Sequence, residues 1–261
     1  MNRSPAAAAP ASYGRLLARL EAGMTGPGLP DWLWQVVTVL HDGQDAAAAG
    51  DWAARLHGEL ARLGGRVPFS VVHDWHARTV APVLAEASVR RGRPREPQDA
   101  VRDLHLRALA GEPVTTAEWE AVLLPALREA YRLAYAYADA FAQAYAGAHA
   151  YAVAHDYGAE RAAEFAGEYA GLNTGANAAS FAEGNALANA GATAAAWAAA
   201  DARAYAEAWP FAHVQVYALA WAGRERAAAG EEGGDAQRER LRSVCRRLAD
   251  GLVGGLARVA S

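Results

Sequence analysis

Two histidines three residues apart, in "HDWH" at 73–76, are the side chains of this sequence best placed to do chemistry. On a helix, positions i and i+3 project to one side, so His73 and His76 could offer two nitrogen ligands to a metal ion. With the neighbouring carboxylate they form a candidate catalytic set, His73, Asp74 and His76. Further along, His149 and His155 with Asp156 could complete such a site inside a helical bundle. The same histidines could equally cap, stack or hydrogen-bond in partly buried positions.

Other chemistry is excluded by spacing. The segment "VLHDG" at 39–43 resembles the metal-binding signature of the HD-domain phosphohydrolases, but that family needs a further histidine upstream and none precedes His41. No Glu-x-x-His occurs, which removes the ferritin-like di-iron pattern. Aromatic residues could line a cavity that stabilises a carbocation, but an aspartate-rich diphosphate motif is missing and "NTGANAASFAEGN" lacks the spacing that holds magnesium. Phosphate-cradling glycine loops, a nucleophile elbow and CxxC pairs are absent too. The residues name no cofactor. The single cysteine, Cys245, sits on an apolar stripe and reads as a core thiol.

A second candidate set comes from a period of four. Phe165, Tyr169, Asn173, Asn177, Phe181, Asn185, Asn189, Thr193, Trp197, Asp201, Tyr205 and Trp209 follow one another without a miss, and Tyr137, Phe141, Tyr145 and His149 do so upstream. Asn173, Asn177, Asn185 and Asn189, with Tyr145, His149 and His155, are the candidate ligand-binding residues. Facing a core, each amide needs partners, because one left unpaired costs roughly 1–3 kcal/mol. They form an interhelical network, line a wet cavity, or lie exposed.

These residues must be carried by helices. Between the members of the series stand alanines, which fill a pleated sheet poorly but have the highest helix propensity. A step of four advances about 400° around a helix, so a face about 100° wide holds three or four members. The alanine section is therefore expected to break into shorter helices at Gly158, Gly171, Gly175, Gly184, Gly191 and Pro210. Its aromatic series, worth roughly 2–3 kcal/mol per buried ring, is expected to supply most of its stability.

The first half reads as amphipathic helices with clear punctuation. Asp31 is suited to cap one that ends at Gly43 and Asp51 another, in which Trp52, Leu56, Leu60 and Leu63 form a stripe. The helix holding "HDWH" is expected to be disturbed near Pro82. "RRGRPREP" at 90–97 is the best linker candidate, and Thr115 with Glu118 has capping-box spacing before a helix that Pro125 should bend. "GEEGGD" at 230–235 reads as a polar break before a final helix striped by Leu241, Val244, Cys245, Leu248, Leu252, Leu256 and Val259. Residues 1–12 read as a frayed tail and 13–261 as one helical domain, with candidate halves 13–111 and 113–261.

The net charge of −4 gives no general pull toward nucleic acid or anionic membrane, and no apolar run approaches bilayer length. With no secretory signal and one cysteine, a cytoplasmic location is expected. All basic charge is arginine and isoleucine is absent, the mark of GC-rich coding.

At "HDWHARTVAPVLAEA", "AEWEAVLLPALREAYRLAYAYADAFAQAYA" and the Asn/Ala tetrads, the chain resembles a group of actinobacterial proteins encoded near natural-product biosynthesis genes, the spectinomycin cluster among them. The resemblance covers most of residues 30–225 and implies an accessory role in secondary metabolism, with no catalytic residues to carry over. The expectation is an all-α, compact bundle of roughly eight to ten helices with a closely packed, alanine-rich second half. Three functions are carried forward. The first is a non-enzymatic binding or accessory protein for a small molecule or a protein partner. The second is a helical-bundle enzyme using His73, Asp74 and His76, with or without metal, and the third a self-associating scaffold or homo-oligomer.

Overall fold

The computed structural model describes residues 13–21, 29–134, 138–223 and 231–259. The first half comprises α1 (Tyr13–Glu21), α2 (Asp31–Asp42), α3 (Ala46–Arg62), α4 (Ser70–Trp75), a π-helical turn (His76–Val80), α5 (Ala81–Arg90) and α6 (Glu96–Leu109). Then come α7 (Thr116–Ala134), α8 (Ala138–Ala154), α9 (Ala159–Ala199), α10 (Ala202–Glu207), α11 (Pro210–Ala222) and α12 (Glu231–Ala257). The fold is an all-α bundle, with no strand among the described residues. No helix among them is long and apolar enough to cross a membrane. Residues 1–12 and Tyr137 lie outside the described residues.

Local chemistry accounts for most boundaries. Glu118 accepts from the Thr115 backbone N–H at 2.8 Å while Thr115 Oγ1 accepts from Glu118 N at 3.2 Å, the reciprocal cap the spacing implied. Two other caps differ from expectation. Asp45, not Asp51, starts α3 by accepting from Ala48 N at 2.9 Å, because four alanines extend the helix upstream and leave Asp51 inside it. Pro30 holds the N-cap of α2, and Asp31, in its first turn, makes no capping bond. The disturbance near Pro82 is the π turn. Pro82 has no N–H for the carbonyl four residues back, and just before it the Ala81 N–H reaches five residues back to His76 O. The "GEEGGD" segment does not end helicity either, since α12 already begins at Glu231.

One core joins the two sides of the 90–97 segment. It includes Trp32, Trp52, Trp75 and Trp119 together with Trp197, Tyr205, Leu248 and Leu252. Trp52 and Trp75 each donate an indole N–H at 2.9 Å into α12, to Ala249 O and Leu248 O. The α12 backbone comes so close to the π turn that a Cβ on Gly251 would clash with the Thr79 side chain. Arg93, within the 90–97 segment, grips buried Glu129 of α7 through two bonds of 2.7 Å. Residues 90–97 thus form an exposed connection between α5 and α6, both of which pack on the one core.

The alanine section departs from expectation in two ways. Gly171, Gly175, Gly184 and Gly191 do not break it: α9 runs unbroken for 41 residues and ends at Ala200 in a left-handed conformation. Gly158 and Pro210 do mark helix starts. Nor are the rings its glue along most of α9; only at the end do members of the series enter the core, Trp197 and then Tyr205. The buried line is Ala162, Ala166, Ala170, Thr174, Ala182, Ala186, Ala190 and Ala194, whereas Tyr169 and Phe181 are exposed. The geometric limit on a drifting stripe holds, but the helix meets it by changing partner. Ring contacts from Tyr151 and Tyr157 place α8 and the turn after it beside Phe165, while Arg128–Glu183 and Trp119–Trp197 place α7 beside the C-terminal part. A line of this period stays on one face for about four members before it drifts away, so one neighbour cannot cover the whole of it.

Candidate functional site

The histidines of "HDWH" enter a buried cluster that spacing alone did not reveal. His73 lies within α4 and His76 opens the π turn; α6 contributes His105, and α11 contributes His213. His73 Nδ1 and His105 Nδ1 lie 3.0 Å apart, one donating and the other accepting. His76 stacks on His105 with ring centroids 4.9 Å apart. Trp119 and Trp197 close the group, with centroids 4.6 and 4.4 Å from His105. Tyr217 faces His76 edge-on at 6.3 Å and stacks on His213 at 6.2 Å.

The electrostatics follow from dryness. Burial pushes the His73 imidazolium down to about 4, His76 to about 3 and His213 to about 4, and holds His105 well below the ordinary histidine range. Mutual repulsion lowers His76 and His105 further. All four rings are therefore neutral near pH 7. His76 Nδ1 donates to Val72 O at 2.9 Å, which fixes its tautomer and leaves Nε2 as a buried lone pair without a protein partner. His105 Nε2, His213 Nε2 and the indole N–H groups of Trp119 and Trp197 are likewise buried and unpartnered. Beside His76, Gln98, Trp197 and Tyr217 line a cavity of about 10 Å³, room for one water.

Other candidate residues go elsewhere. Asp74 points away from the cluster to Arg78 at 2.8 Å and to Arg258 just past α12, tying the end of α12 to α4. His73 and His76 therefore share neither a carboxylate nor a common ligand position. Among the described residues no three metal-ligating side chains converge. Tyr145 and His149 stack on one another on α8, and His155 stacks on Tyr151 and bonds to its carbonyl at 2.8 Å, so neither histidine joins His73. Asn173 and Asn185 donate to the carbonyls four residues back, and Asn189 does so while also reaching Tyr131 Oη at 3.1 Å. Such back-bonding gives each of these amides a partner on its own helix, and Asn189 alone among the three also bonds across to α7.

Asn177 differs: it is exposed on the rim of an open groove of about 610 Å³ between α8 and α9. Ala144, Gly147 and Ala148 form its small-residue floor, with Tyr151, Phe165 and Tyr169 along its sides. Sequence reasoning missed His105 and His213. Each is a lone histidine on the apolar face of its helix, at four-residue spacing from Val101 and Tyr217, and that placement was the only signal available. No protein-family model, curated protein or solved structure matches the chain.

Proposed function

We propose that the chain is a non-enzymatic binding protein, an accessory of actinomycete secondary metabolism, that takes a small neutral aromatic molecule in the α8–α9 groove. The contrast between its two concavities carries the reading. The histidine cluster has imidazoles, yet it is dry and its neighbouring cavity is water-sized, too small for any organic substrate. The α8–α9 groove has a volume typical of small-molecule sites, ring-bearing walls, and in Asn177 one polar group to orient a ligand. No charged side chain lines it, which favours a neutral ligand. The actinomycete setting rests on the resemblance of the sequence.

Ligand-observed NMR with coumarin and 2-naphthol as probes tests this. Gly147 is the useful variant, because a Cβ there meets nothing within 4 Å and a large side chain can fill the floor without disturbing the helix. Binding to the native chain and its loss in Gly147→Phe is the expected result. Equal binding to both would remove the groove as the site. Stoichiometric zinc, iron or manganese in the purified protein, lost in a His73→Ala/His76→Ala variant, would favour the enzyme instead.

A further inference from the structure

Of the nine large apolar side chains exposed among the described residues, seven lie between Tyr151 and Leu187, on α8, α9 and the turn joining them. The groove accounts for only two of these, Tyr151 and Tyr169. The most exposed, Leu172 at 84%, lies outside it, as does Leu187 at 59%. At 100° per residue, Tyr169, Leu172, Ala176, Ser180 and Leu187 fall within a sector of about 80°, and all five are exposed. We propose that this face of α9 seats a second copy of the chain, packed antiparallel about a two-fold axis near Ala176.

Two observations fix the occupant. The face is self-complementary. Leu172 and Ser180 stand equally far on either side of Ala176, as do half-buried Phe165 and Leu187. In an antiparallel pair Leu172 of each copy lies over Ser180 of the other, Phe165 meets Leu187, and the alanines meet at the axis. Charge agrees. Asp156, Glu160, Glu164 and Glu168 are exposed toward one end against a single basic residue, Arg161. Toward the other end, the Arg128 guanidinium bonded to Glu183 holds it below the usual carboxylate range, with exposed Arg132 adding to the positive field there. Antiparallel packing sets the acidic end of one copy on Arg132 of the other, whereas parallel packing sets acid against acid.

The experiment is sedimentation of the full chain at rising concentration. A dimer is expected, and Leu172→Glu is expected to raise its dissociation constant by more than about tenfold while circular dichroism and thermal midpoint stay unchanged. A charge swap tests the orientation. Glu164→Arg/Glu168→Arg and Arg132→Glu should each weaken self-association, and mixing the two variants should restore a heterodimer. A monomer at every concentration overturns the proposal, as does a dimer indifferent to Leu172→Glu or a mixture that fails to pair. Phe165 and Tyr169 belong to both the groove and this face, but Leu172 does not line the groove, so the two readings are separated by variant, Gly147→Phe for ligand binding and Leu172→Glu for self-association.

Discussion

At the scale of single residues, His76 shows how burial replaces one role with another. A histidine three residues from a second histidine suggests a ligand pair. Here its Nδ1 is spent on Val72 O, its ring is wedged between His105 and Trp197, and its neighbour His73 pairs with His105 instead. The consequence is acid sensitivity. The folded-state values of about 3 to 4 lie below the 6.5 of an ordinary histidine, so the unfolded chain takes up protons first. Stability is fully present above about pH 6.5 and falls as pH drops from there toward about 4. For His213 alone the loss is on the order of 3 kcal/mol. Urea midpoints measured from pH 7 to pH 4 should fall steeply, and His213→Phe should flatten the slope. An unchanged slope would mean that His213 is not dry. Pairwise spacing identified His73 and His76 as a unit, but it was blind to His105 and His213, which come from helices distant in sequence.

At the scale of elements, α9 shows a rule of packing solved in an unforeseen way. A period of four cannot stay on one face, and the sequence suggests interruption at glycine. The helix continues because alanine-rich sequence has high propensity and isolated glycines cost it only about 1 kcal/mol each. The drifting seam is covered by α8 first and α7 afterwards. Alanine then has a positive role, since a methyl allows close approach where a ring does not fit. Ala186 is fully buried on this seam, so Ala186→Leu should destabilise the protein by about 1–3 kcal/mol through overpacking. Ala188→Leu, on an exposed position of the same helix, should be close to neutral. Thermal midpoints of the two variants check this; equal midpoints would mean the seam has slack.

At the scale of the whole molecule, residues 13–111 and 113–261 do not enclose separate cores. Trp52 and Trp75 donate into α12, and Arg91 donates to Ala220 O at 2.5 Å near the end of α11. Unfolding in urea should accordingly follow a single transition at the same midpoint by tryptophan fluorescence and circular dichroism. Two separated transitions would show two independent units. The sequence by itself determined the helical class, the capping box at Thr115, the backbone disturbance near Pro82 and the buried stripe of α12. Each follows from propensity, capping or periodicity within one helix turn or a few, and such terms act before any partner is present. Only the tertiary structure decided which face of α9 is buried, where the asparagine amides bond, and that four histidines from three separated segments share one dry pocket. Those outcomes depend on which helices meet, and that is set by the summed burial of the whole core, a quantity no local spacing contains.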